Sequence, residues 1–169
     1  GDPASEIEIA DLVTLANRVL DERRGVNGEF TGKDDRAAFE NILRVGTSAG
    51  GARAKAILAW NPQTAHFRSG QLPHQSGYQY WILKFDGISK NSDKELADPQ
   101  GYGKIEFAYS LMAGAAGIEM SECRLYQEGG RSHFMTKRFD RMDDGAKLHM
   151  QSLGAMTHAD FNLAAAYSY

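Results

Sequence analysis

The chain reads as an α+β fold: a small antiparallel sheet of about four or five strands with helices packed on one side. Three observations predict it. Apolar residues recur at helical spacing through residues 5–24. Two short runs, residues 54–60 and 78–85, are rich in aliphatic and aromatic side chains and close on the turn pairs Asn61-Pro62 and Asp86-Gly87. A Gly129-Gly130 pair stands between two further strand-like runs, the signature of a hairpin.

In the first helix Ile9, Leu12, Val13, Ala16, Val19 and Leu20 form the i, i+3, i+4, i+7 stripe, and Ser5 is placed to cap it. A second helical pattern begins at Asp34 and Asp35, whose charges suit a helix N-terminus, buries Phe39, Ile42 and Leu43, and stops at Gly46. Gly46 to Arg53 is a flexible turn, and the residue 54–60 strand follows it. A polar connection leads to the residue 78–85 strand, in which Lys84 stands among Tyr, Trp, Ile, Leu and Phe. A third helix is expected over residues 104–116, with Ile105, Ala108, Tyr109, Leu111 and Met112 giving the 3.6-residue period. The hairpin strands are expected at residues 122–127 and 133–139, and short helices at 147–155 and 159–166.

Composition narrows the function classes. A length of 169 residues suits one domain, and a net charge of −3 argues against the basic face that nucleic-acid binders carry, so direct nucleic-acid binding is not expected. The single cysteine, Cys123, excludes an internal disulfide. There is no leader-like segment and no apolar run long enough to span a bilayer, so a cytoplasmic protein without membrane attachment is expected. The five histidines lack metal-ligand spacing, and no metal site is assigned to them.

The chemistry lies in an order of features. A Gly-rich loop (Gly46, Gly50, Gly51), a lysine on a strand (Lys84) and a glutamate on the next helix (Glu106) follow one another as they do where a protein kinase grips ATP. Glycine lets backbone N–H groups approach phosphates, and the strand holds the lysine cation rigidly. A lysine in so apolar a strand needs a counter-charge, which Glu106 can supply. Taken singly these signals are weak: the loop fits neither G-x-x-x-x-G-K-[ST] nor G-x-G-x-x-G, and a strand lysine is commonly a snorkelling surface residue.

The run from Val45 to Ala56, Val-Gly-Thr-Ser-Ala-Gly-Gly-Ala-Arg-Ala-Lys-Ala, resembles the loop of HipA-like Ser/Thr kinases. So do the spacings to Ile82-Leu83-Lys84, to Glu106 with Tyr109, to Arg138-Phe139-Asp140-Arg141 and to His149-Met150-Gln151. The resemblance covers residues 40–169 and implies a protein-kinase-like N-lobe. Residues 1–45 form a helical preface, 46–141 the nucleotide-gripping lobe and 142–169 the start of a helical C-lobe. It further implies that Ser48, Ala49, Gly50, Gly51, Ala52 and Lys55 close over the triphosphate, with Ser48 the loop serine that becomes phosphorylated. Lys84 is then the ATP-gripping lysine with Glu106 its partner. Lys137 and Phe139 belong to the lobe connector whose backbone reads adenine, and Arg138, Asp140 and Arg141 are expected to form a structural ion-pair network. ATP and Mg2+ are the implied cofactors, and a protein substrate and a helix-turn-helix antitoxin the implied partners. The catalytic Asp and the Mg2+ ligands are expected beyond residue 169, which makes the chain the inactive front portion of a longer enzyme. The other reading is a non-catalytic regulatory module that partners a DNA-binding antitoxin.

Overall fold

The computed structural model of the protein describes residues 7–14, 54–87 and 100–159. The elements in chain order are α1, of which residues 9–14 are described, β1 (Lys55–Trp60), β2 (Phe67–Ser69), β3 (Gln79–Lys84), α2 (Tyr102–Ala115), β4 (Cys123–Glu128), β5 (Arg131–Lys137) and α3 (Leu153–Met156). The strands form a single antiparallel five-stranded sheet in the order β2-β1-β3-β5-β4, so β3, the strand carrying Lys84, is central. The protein is therefore α+β, as the sequence predicts.

Alternation along each strand gives the sheet two unlike faces. On one face Ala56, Leu58, Trp81, Leu83 and Met135 join Ile9, Leu12 and Val13 of α1 in a buried cluster with Ile7, Phe67 and Phe85. Trp60 stands edge-on to Trp81 with ring centroids 5.7 Å apart, and Phe67 meets Tyr126 in the same way at 5.0 Å. On the other face the register aligns Lys55 with Lys84, Ile57 with Ile82 and Ala59 with Tyr80. Because α1 seals the first face and α2 sends Glu106 to Lys84 on the second, the helices lie on both faces of the sheet. This corrects the expectation of helices on one side.

The boundaries of β1, β3 and α2 agree with the sequence expectation to within about two residues. The hairpin turn is Gly129-Gly130, with both glycines at positive φ (52° and 78°), the backbone a two-residue turn requires. Strand β2 falls in what the sequence suggested was a polar connection; it pairs with β1, and Ile7 adds an isolated bridge to Phe67. A helix over 147–155 does not form. The chain instead returns through an Arg141–Lys147 bridge, Leu148 N–H donates to the Asp140 carbonyl at 3.1 Å, and helix begins only after Ser152, whose hydroxyl accepts from Ala155 N–H at 3.1 Å. The expected helix from Asp34 to Gly46, the expected helix over 159–166 apart from residue 159, the Ser5 cap, and residues 15–24 of the expected first helix lie outside the described residues.

Candidate functional site

Helix α2 shows why its sequence pattern misled. The side chains at Ile105, Tyr109, Leu111 and Met112 are exposed, whereas Gly103, Glu106, Phe107, Ser110 and Ala113 are buried or half-buried toward the sheet. The sheet-facing positions follow the i, i+3, i+4 rule but, Phe107 apart, carry small and polar residues, so the stripe that reads as apolar is the outward one. Gly103 must be glycine: a Cβ there would lie 1.9 Å from the Ser132 carbonyl oxygen. This close approach lets α2 lie against the start of β5 and turns Glu106, one helical turn on, toward β3.

There Lys84 Nζ donates to Glu106 Oε2 at 2.6 Å, with the lysine and glutamate side chains 35% and 25% exposed. The ammonium also stands 5.8 Å from the centre of the Phe134 ring, a favourable position for a cation. Lys55 is the cross-strand partner of Lys84 and is buried. Burial holds its ammonium below the usual lysine range, the neighbouring Lys84 cation adds to this, and Glu106 partly opposes it. Like charges facing each other across two strands are unfavourable. Lys55, Lys84 and Glu106 thus share one face of the sheet.

From the lysine pair, the same face runs along the strands through Ile57 and Ile82 to Tyr80. Ile57 and Tyr80 line an open cavity of about 620 Å³ with Leu72, Arg138, Arg141 and Lys147. Its far wall is fixed by charge. Asp140 is buried and accepts from Arg138 Nε at 2.8 Å and Nη2 at 2.6 Å, and from Arg141 Nη1 at 2.6 Å. The Arg138 hydrogen bonds, reinforced by the charges of both arginines, hold the Asp140 carboxyl below its ordinary range despite burial. The ion-pair network expected for Arg138, Asp140 and Arg141 is thus present.

The structure brings together Lys55, Lys84 and Glu106 among the residues singled out in the sequence. Lys137 and Phe139 sit at the end of β5 and just beyond it. The Lys137 N–H already donates to the Glu122 carbonyl at 2.8 Å, its side chain reaches Asp143 at 3.2 Å, and the Phe139 ring is 63% exposed. Neither side chain joins the lysine pair. Ser48, Ala49, Gly50, Gly51 and Ala52 lie outside the described residues. Sequence reasoning missed Asp86, His133 and Gly103, which fix α2, and Ile57, which continues the lysine face. Stepping back by twos from Lys84 would have found Ile82 and Tyr80; the others depend on cross-strand register. Among the described residues no group of three or more His, Cys, Asp or Glu could hold a metal ion, and no helix is long and apolar enough to cross a membrane.

Fold and site thus define an α+β protein whose central strand and following helix share a lysine–glutamate pair beside a second lysine. Residues 47–169 match the family described as HipA-like C-terminal domain. That match covers most of the chain, and the protein belongs to the HipA-like family. No curated protein and no solved structure matches it.

Proposed function

We propose that this chain is the ATP-gripping portion of a HipA-like Ser/Thr protein kinase that phosphorylates a protein substrate. The observation that carries the reading is the 2.6 Å pair between Lys84 on β3 and Glu106 on the next helix. Protein kinases require this pair, because the glutamate holds the lysine where it meets the α and β phosphates. A triphosphate on this face would meet two lysine cations, Lys55 and Lys84, on neighbouring strands. Gly50, Gly51 and Ala52, with Ser48 and Ala49, would cover the phosphates, and Ile57, Ile82 and Tyr80 would carry the base. Since the Lys137 N–H is spent on Glu122, the adenine edge would be read by the Lys137 carbonyl and the Phe139 N–H. Bound Mg2+ would neutralise phosphate charge; the described residues supply no group of three or more His, Cys, Asp or Glu to hold it. An added phosphate on Ser48 would bring about two negative charges to the γ-phosphate position and inhibit the enzyme. A helix-turn-helix antitoxin is the partner this reading carries with it.

The test is ATP titration by calorimetry, with the chain and with the complete gene product, alongside Lys84→Ala. Saturable binding that Lys84→Ala weakens at least about tenfold, roughly 1.4 kcal/mol, is expected. Equal affinity in the wild type and the variant overturns the proposal.

A further inference from the structure

Helix α2 carries Glu106 but has little of its own to fix its start. Its N-cap is Gly101 at φ 110°, no side chain of the cap residue bonds to the first turn, and that turn holds no acidic residue. The missing acceptor comes from far away in sequence. Asp86, two residues after Lys84, is 3% exposed, and its carboxylate accepts from the Gly101 N–H at 2.9 and 3.1 Å and from the Gly103 N–H at 3.4 Å. It also accepts from the Ser132 N–H at 3.4 Å, so one carboxylate ties the helix start to β5. A carboxylate is the right group for this place, because the first N–H groups of a helix are otherwise unsatisfied and the helix dipole favours negative charge there.

Asp86 is itself held. Its own N–H donates to His133 Nδ1 at 2.9 Å, and His133, fully buried, turns Nε2 to Glu128 at 3.4 Å. The Phe85 ring meets the imidazole edge-on, with centroids 5.7 Å apart. The end of β3 therefore carries two groups in three residues: the lysine, and the anchor of the helix that brings its partner.

We infer that Asp86 is a positioning residue for the Lys84–Glu106 pair: it caps α2 from the end of β3 and so sets where the Glu106 carboxylate meets the Lys84 ammonium. The inference rests on the nucleotide-gripping reading for its functional readout, but the anchoring can be measured without nucleotide. Two mechanisms can make an Asp86 variant weaker, and they predict different couplings. A residue acting through Glu106 loses its influence when Glu106 is gone, whereas general damage to the fold adds to any other lesion.

The experiment is a double-mutant cycle on ATP affinity with Asp86→Asn, Glu106→Gln and the double variant, joined to amide hydrogen exchange of the protein without nucleotide. Asp86→Asn is expected to lower affinity on the order of fivefold in the wild-type background and by less than about twofold in Glu106→Gln. It should also speed exchange at Gly101, Gly103 and the first turn of α2 while the amides of β1 and β3 keep their protection. An equal affinity loss in both backgrounds, or uniformly faster exchange across β1 and β3, overturns the inference. If Lys84→Ala leaves ATP binding intact, the nucleotide reading falls; the anchoring then stands or falls on whether exchange quickens at Gly101, Gly103 and the first turn of α2 while β1 and β3 keep their protection.

Discussion

The two faces of the central sheet are built for opposite ends. Leu83 and Trp81 belong to a buried apolar cluster, and α1 closes the layer. One residue along the same strand, Lys84 faces the other way, toward a second lysine and a carboxylate. Burial of apolar area on the first face holds the fold together, while the second gathers two lysines and a carboxylate. Stability and ligand binding are thus divided by the two-residue period of a strand, and substitutions one residue apart should separate them.

The largest effect is expected on the apolar face. Trp81 is fully buried between Trp60 and the core cluster, and Trp81→Ala should cost about 3–5 kcal/mol in denaturant unfolding, the range for losing a buried aromatic. A loss below about 1 kcal/mol would mean that α1 does not seal this face as the packing indicates. On the opposite face Lys84→Met should leave unfolding within about 1 kcal/mol of wild type, because its ion pair is partly exposed, while ATP affinity falls at least about tenfold. A core-sized stability loss at Lys84 would break the division of labour.

A change in pH sharpens the comparison at the end of β3. His133 is buried and neutral; desolvation pushes its pKa below the ordinary 6.5, against the raising influence of its Glu128 hydrogen bond and of the Glu128 and Asp86 charges, with Arg131 lowering it further. Nδ1 accepts the Asp86 N–H, so a protonated ring would set N–H against N–H. Since the unfolded chain takes up this proton first, stability is full above pH 6.5 and declines as pH falls from there toward the lower folded pKa. Unfolding of wild type and His133→Gln followed from pH 7.5 to 5 should show a slope in the first that flattens in the second; parallel slopes assign it elsewhere.

How much of this was legible in the sequence follows from how local each signal is. Strands β1 and β3 and the hairpin are visible because apolar runs meet turn residues within a few positions. Strand β2 spans only Phe67–Ser69, too short to show a period, and exists because β1 offers an edge. The stripe on α2 was real but faced outward, since the sheet-facing side, with Gly103, Glu106 and Ser110 beside a single large apolar residue, Phe107, is set more by close approach than by hydrophobicity. At the site, Lys84 and Glu106 could be paired from their order and the demand for a counter-charge. Asp86 looked like a turn marker before Gly87; its partners at Gly101, Gly103 and Ser132 lie 15, 17 and 46 residues away, a separation no local pattern records.

The smallest effect is expected at a residue singled out in the sequence for the nucleotide. Lys137 lies opposite Trp81 in the register, so its side chain leaves β5 on the side away from the lysine pair and ends on Asp143, which is 65% exposed. An ion pair with one partner so exposed contributes little, because water and salt screen it. Lys137→Ala should therefore change unfolding by no more than about 0.5 kcal/mol. It should shift ATP affinity by less than about twofold, because the substitution keeps the main-chain carbonyl assigned to the adenine edge. Calorimetry on the same preparation as Lys84→Met checks this directly. A tenfold loss at Lys137 would put its cation on the nucleotide face, and the separation of the two faces by side-chain alternation would be wrong at the end of β5.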